Sequence, residues 1–286
     1  YIGGIPIFWS WPFLGLGIAI IWGLVGPKLF KVSRNINALT ITDYVQDRFN
    51  NKAVSVLLCI NMVIFLIPMC VAQFKAAGIL VEMVSGIPYR WAIIIFGLVA
   101  FLYVSLGGMY SVLYTDCIQG GLMIFSAIIL IPVVYFATQK FGGFAEYANL
   151  NPAGFSLLPG AGSKMPLSFL IPWILLSFWG ALGSPHYAVR FYTIKNYSTI
   201  KKMMPLAVLL GAVMMGVVTQ FLGIGGRVLY PELQQTDQTT ILIIRDLFPS
   251  VVSGIVLAGL AAAMMSSLDA MIITIVSTVE NDLLKK

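Results

Sequence analysis

Long apolar runs dominate the chain, and short polar or glycine- and proline-containing segments separate them. A helix that crosses a bilayer needs about 20 predominantly apolar residues. The pattern therefore predicts an all-α chain with about seven transmembrane helices. The predicted spans are residues 5–27, 54–87, 91–106, 117–137, 167–189, 203–224 and 251–276.

The last of these runs carries polar groups at membrane depth. Ser266, Ser267 and Asp269 interrupt it, and such groups are costly enough inside a bilayer to indicate a function. Ala263, Ser266 and Ser267 are spaced i, i+3 and i+4, so one helix face presents a carbonyl and two hydroxyls to a single point. This arrangement favours a cation site. The alternative is that both serines bond back to their own helix or pack against a neighbouring one.

The fifth run is interrupted by glycine and proline. These residues are Pro172, Gly180, Gly183 and Pro185. Such breaks in a hydrophobic segment are typical of a discontinuous helix that lines a central cavity. The residues expected to form the cavity wall are Gln73, Ser177, Trp179, Gly180 and Ser184, and those expected to shape its cytoplasmic exit are His186 and Arg190. The alternative for the single His is a structural role, because one His makes no metal or catalytic set.

The first polar connection, residues 28–52, includes a predicted short helix at residues 37–45. Thr40 or Thr42 is placed to cap its first turn, and Asp43 lies where the helix dipole favours a negative charge. Helices of this kind lie in the membrane interface. The functional alternative is a cytoplasmic gate that includes Asp43.

Composition supports the membrane prediction. Hydrophobic residues make up 59% of the chain, charged residues 10%, and the mean hydropathy is +0.93, whereas soluble domains are about 25% charged. The chain starts at Tyr1 rather than Met, so we expect a piece of a longer protein. Its three cysteines are scattered in or beside apolar runs, which predicts small core residues rather than disulfides.

The distribution of Lys and Arg predicts the orientation, because cytoplasmic loops carry an excess of both. Eleven of the 17 lie after the first and fifth spans or in the final residues, and five lie in the connections on the opposite side. The start of the chain is therefore expected outside and its end in the cytoplasm. The formal charge of +6 reflects this topology and contact with the lipid bilayer, and no basic patch with interleaved aromatic residues indicates a nucleic-acid partner.

Five elements occur in an order found in a known family. They are residues 40–44 (TITDY), 107–112 (GGMYSV), 115–119 (TDCIQ), 183–190 (GSPHYAVR) and 263–267 (AMMSS). On these elements the chain resembles the sodium:solute symporter family over nearly its whole length, and within it the pantothenate and proline branch more than the sugar branch. No P-loop, Rossmann fingerprint or hydrolase elbow favours an enzyme instead.

The resemblance implies a transporter core built as an inverted repeat of five plus five helices, like that of bacterial amino-acid symporters. The seven spans would be core helices two to eight of a single transporter domain, residues 1–286. The first and the last two core helices would then belong to other parts of the same polypeptide. Ala263, Ser266 and Ser267 match the family's sodium ligands, whose partner carbonyls lie in the first core helix.

Asp116 and Asp269 are candidates for a second cation or proton site. In some family members an acidic residue at the position of Asp116 binds a second sodium with hydroxyls at the positions of Asp269 and Ala270, so this chain departs from that pattern. Asp269 is then a cation ligand, a protonated acid or a proton-coupling group. For Asp116 the alternative is a carboxylate at a helix N-terminus.

The predicted function is sodium-coupled symport of a small organic solute, such as pantothenate, proline or a similar carboxylate, across the cell membrane by alternating access. Na⁺ is the expected coupling ion, and neither an organic cofactor nor a transition metal is expected. The alternative is a symporter-like sensory membrane module joined to a regulatory domain outside this sequence.

Overall fold

The computed structural model describes residues 3–38, 40–158 and 165–284, and it is almost entirely helical. Those residues include no strand, and seven of their helical segments are long and apolar enough to cross a membrane. Large apolar side chains such as Leu57, Phe65 and Leu106 are exposed on these segments, as expected for contact with lipid. The chain is an all-α polytopic membrane protein, which confirms the prediction.

The helices are labelled in chain order. They are α1 Ile5–Ile36, α2 Ile41–Phe49, α3 Lys52–Ser85, α4 Tyr89–Met109, α5 Ser111–Gln139, α6 Gly143–Leu150, α7 Leu167–Gly183, α8 Pro185–Thr193, α9 Tyr197–Leu229, α10 Thr239–Leu247 and α11 Ser250–Asp282. The fifth span consists of α7 and α8 together. The helices α2, α6 and α10 are too short to cross a bilayer.

Two local breaks in the backbone follow from the sequence. Gly108 has φ 55° and ψ −150° between α4 and α5, a conformation that essentially only glycine adopts. Ser184 is extended, with φ −72° and ψ 111°, and separates α7 from α8. The fifth span is therefore a discontinuous helix, as the glycine and proline pattern predicts.

The short helix predicted in the first polar connection is confirmed, although it begins at Ile41 and ends at Phe49. Thr40 is its N-cap, and the Thr40 hydroxyl accepts a hydrogen bond from the Asp43 backbone N–H at 3.3 Å. The Thr40 N–H donates to the Asp43 carboxylate at 3.0 Å, which completes a capping box. Asn37, which ends α1, has a left-handed conformation, so the predicted start was four residues too early.

The contacts of the chain divide it into two compact units, each built from three stretches of sequence. The first unit consists of Tyr1–Ala19, Gly121–Leu182 and Pro205–Leu260, and the second of Ile20–Gly120, Gly183–Met204 and Ala261–Lys286.

In the first unit, small residues bring helices close together. A Cβ atom at Gly225 would collide with Val134 of α5, and one at Gly226 would collide with Thr239 of α10. Tyr147 of α6 is fully buried. Close packing at small residues is the usual way in which membrane helices associate.

In the second unit, α3 packs against α11 in an antiparallel manner. The Cys59 thiol lies 3.8 Å from the Thr278 carbonyl oxygen, and the Cys70 sulfur lies 3.8 Å from the Met271 sulfur. Both cysteines are free thiols in the core, as predicted. The same prediction was wrong for Cys117, which is exposed on α5; an apolar run does not reveal which face of its helix is turned outward.

Candidate functional site

Ala263, Ser266 and Ser267 share one half-buried face of α11. The Ser267 hydroxyl donates to the Ala263 carbonyl oxygen at 3.0 Å. This is the hydrogen bond within its own helix that was given above as the alternative to a cation site. A hydroxyl that donates its proton keeps two lone pairs. This hydrogen bond is therefore compatible with a cation on the same oxygen.

Ser266 connects this face to α5. Its hydroxyl donates to the Asp116 carboxylate at 2.6 Å, and the other oxygen of that carboxylate lies 2.8 Å from the Arg190 guanidinium. The side chain of Asp116 is 10% exposed and that of Arg190 is 39% exposed. A hydrogen bond and an ion pair therefore connect three residues that were predicted separately from the sequence, on α11, α5 and α8.

Asp269 is fully buried, with 0% of its surface exposed. Its carboxylate accepts a hydrogen bond from the Tyr103 hydroxyl of α4. Tyr103 is not among the residues predicted from the sequence. A phenol in the middle of an apolar run is nevertheless a signal for such a contact, because a buried Tyr hydroxyl usually has a hydrogen-bond partner.

His186 and Arg190 line a small cavity in the second unit together with Asp116 and Thr274. His186 is buried, and its Nδ1 has no hydrogen-bond partner among the described residues. The remaining lining is mostly apolar. The predicted exit residues are thus adjacent to the predicted acidic site, while their role in gating stays a prediction.

The predicted cavity-wall residues are distributed over both units. Ser177, Trp179 and Gly180 belong to the first unit, and Gln73 and Ser184 belong to the second. The Ser177 hydroxyl bonds back to the Trp173 carbonyl at 2.8 Å, and Trp179 is 62% exposed. A common cavity formed by these residues stays a prediction.

A second buried acid, Asp282, was missed by the sequence reasoning. Its carboxylate accepts a hydrogen bond from the Thr42 hydroxyl and lies 3.3 Å from the Thr40 hydroxyl. All three residues are buried in the second unit. Asp43, predicted as a gating residue, lies beside them as a partner in the capping box.

The groups that Ala263, Ser266 and Ser267 present on α11 as possible cation ligands are all oxygens. Oxygen ligands suit hard cations, whereas transition metals prefer imidazole and thiolate. Among the described residues there is no group of three His, Cys, Asp or Glu side chains that could hold a metal ion. The carbonyl oxygen of Ala263 and the hydroxyls of Ser266 and Ser267 are groups that fit a hard cation such as Na⁺.

Comparison with known proteins identifies the family. The chain is 32% identical over 274 positions to the sodium/pantothenate symporter of Haemophilus influenzae, 28% over 298 to the sodium/proline symporter 2 of Staphylococcus saprophyticus, and 29% over 300 to the sodium/proline symporter of Staphylococcus aureus. These alignments include 93 to 100% of the chain but 55 or 56% of each relative, so the chain spans about half the length of the curated relatives it matches. The sequence model of the sodium:solute symporter family matches residues 1–286, and the chain therefore belongs to that family.

Proposed function

We propose that the full-length protein couples downhill entry of Na⁺ to the uptake of a small organic solute, by alternating access of a site near the middle of the membrane. The observation that carries the proposal is the polar chain on α11, in which Ser266 joins the Asp116 carboxylate inside membrane-spanning helices. Intramembrane ionisable groups are expensive and mark ion or substrate pathways.

The sodium ion is held by the Ala263 carbonyl and the hydroxyls of Ser266 and Ser267. A dehydrated Na⁺ needs about five or six oxygens, and broken helices supply carbonyls for such sites. The half-exposed position of this face supports a site whose remaining oxygens come from another part of the polypeptide. Asp116 contributes negative charge through its bond to Ser266.

The solute site lies at the broken fifth span. The extended Ser184 leaves backbone groups outside a helix, which is tolerated at membrane depth only beside protein or a cavity. Gln73, which belongs to the same unit as Ser184, would contribute to its wall. His186, Arg190 and Asp43 act at the cytoplasmic exit. The relatives described above carry the names of pantothenate and proline symporters, so a small carboxylate is the substrate class we propose.

The test is uptake by the full-length protein in proteoliposomes. Labelled pantothenate, proline and a sugar are offered with an inward sodium gradient or an equal potassium gradient. We expect one of the carboxylates to accumulate with sodium only. Equal uptake with both ions, or no uptake of either carboxylate, would contradict the proposal.

Serine variants test the sodium ligands in the same assay. Ser266→Ala and Ser267→Ala are expected to raise the sodium concentration for half-maximal uptake about 10-fold or more, the usual effect of removing groups that support a metal site. Ser277→Ala is the matched control, because its hydroxyl only bonds to the Thr274 carbonyl in the same helix, at 3.2 Å. A similar shift in all three variants would contradict a specific role for Ser266 and Ser267.

A further inference from the structure

Cationic side chains gather where the first span ends and the sixth begins. Residues 28–36 and 194–204 contain six Lys and Arg but no Asp or Glu, and all six cations are exposed. Among the described residues none of them forms an ion pair with an acid. Like charges grouped in this way repel one another, so the surface favours an anionic partner. These residues are named the basic patch, which consists of Lys28, Lys31, Arg34, Lys195, Lys201 and Lys202.

Direct contacts hold the two segments of the basic patch together within the second unit. The Arg34 guanidinium donates to the Ile194 carbonyl at 3.1 Å and to the Lys195 carbonyl at 3.4 Å. These bonds fix the connection between α8 and α9 against the end of α1. The basic patch is therefore one surface, although Arg34 and Ile194 are 160 residues apart in the sequence.

The ring of Tyr197 holds two ammonium groups of the basic patch at one place. Lys31 Nζ lies 5.7 Å from the centroid of this ring, and Lys201 Nζ lies 5.2 Å from it. Both distances are within the range of a cation–π interaction. The ring therefore keeps two like charges close together, and a phosphate group has the negative charge and the acceptor oxygens that such a pair of ammonium groups binds.

Exposed apolar side chains adjoin the basic patch on the side of the membrane interior. Leu24 lies seven residues before Lys31, so the two share one face of α1, and both Leu24 and Met203 of α9 are exposed. A Cβ atom at Gly23 would lie 3.3 Å from the Met204 sulfur, so α1 and α9 are neighbours at this depth. An amphiphile with a charged head and apolar chains fits this surface, whereas a free ion would use only the lysines.

We propose that the basic patch binds the headgroup of an anionic phospholipid, with the phosphate between Lys31 and Lys201 and the acyl chains along Leu24 and Met203. Clusters of Lys and Arg beside the end of a membrane span are typical of such binding. A zwitterionic lipid also has a phosphate, but its own cation would face the positive charges of the patch. The site does not depend on the proposed function, because no transport step enters it.

The test is lipid binding to purified and delipidated full-length protein in detergent, measured by native mass spectrometry with phosphatidylglycerol and phosphatidylcholine of equal chain length. The wild type is expected to bind phosphatidylglycerol about 10-fold or more tightly, and the double variant Lys31→Gln/Lys201→Gln to lose most of this preference, because each Lys near an anionic headgroup contributes roughly 5-fold. Arg90→Gln/Lys140→Gln removes the same charge at exposed positions outside the patch and is expected to bind like the wild type. Equal affinity of the wild type for the two lipids, or an equal loss in both double variants, would overturn the proposal.

Variants of Tyr197 test the ring. Tyr197→Phe keeps the cation–π contacts and is expected to bind like the wild type, whereas Tyr197→Leu is expected to weaken phosphatidylglycerol binding about 2- to 5-fold. All the substituted side chains are exposed, so these variants are expected to fold. An unchanged affinity in Tyr197→Leu would overturn the role of the ring. Displacement of the lipid by an equal concentration of inorganic phosphate would indicate a site for soluble anions and overturn the lipid assignment.

Discussion

At the residue scale, this structure depends on a few positions where a substitution is expected to be costly. Gly108 has a backbone conformation that a side chain opposes, although a Cβ atom there would meet no neighbouring atom within 4 Å. Asp269 and Tyr103 are 166 residues apart yet hydrogen-bonded. The first feature is visible in the sequence as a Gly-Gly pair, and the second is not, because periodicity reports only local neighbours.

Replacing Gly108 with Ala is expected to destabilise the protein by about 1–3 kcal/mol, the cost of a non-glycine residue in this region of φ and ψ. Thermal unfolding in detergent should show a lower midpoint. Gly254→Ala is the control, since it lies inside α11 and its Cβ atom would also meet open space. Equal midpoints for the two variants would show that the positive φ at Gly108 carries no strain.

At the scale of elements, the local sequence predicts the secondary structure of each segment. The seven spans, the break at Ser184 and the cap at Thr40 all depend on residues within a few positions of one another. The partners of α2 could not be predicted this way, because Asp282 lies 240 residues beyond Thr42. The substrate wall also stays a prediction, since it draws on residues of both units.

The attachment of α2 to the end of α11 leads to a prediction about local stability. Asp282→Ala would leave the buried hydroxyls of Thr40 and Thr42 without their shared acceptor, at a cost of about 1–3 kcal/mol. Amide hydrogen exchange in α2 is expected to become faster, while exchange in α6 of the other unit stays the same. Asp47→Ala, at an exposed acid on α2 itself, is the control, and an equal effect there would contradict the attachment.

At the scale of the whole molecule, the number of spans requires the connections after the first, fifth and seventh spans to lie on one side of the membrane. Within the second unit Arg34 donates to the Ile194 carbonyl at 3.1 Å, and Thr42 bonds to Asp282. These contacts gather all three connections at one end, which supports the topology. The excess of Lys and Arg predicts that this end is cytoplasmic.

Cysteine labelling tests the orientation. In a background without Cys59, Cys70 and Cys117, Lys195→Cys is expected to react with a membrane-impermeant maleimide only after cells are permeabilised. Asn149→Cys, in the exposed part of α6, is expected to react in intact cells. The opposite labelling pattern would show that the chain is inserted in the opposite orientation.

The bond between Thr40 and Asp282 also has a consequence for biosynthesis. A ribosome adds about 5–20 residues per second, and 242 residues separate the two partners, so Thr40 is made about 12 to 48 seconds before Asp282. During that interval α2 has its own cap but not its final partner. The end of the second unit that contains α2 therefore completes its hydrogen bonds only when the seventh span has been synthesised, which makes it dependent on the late stages of membrane insertion.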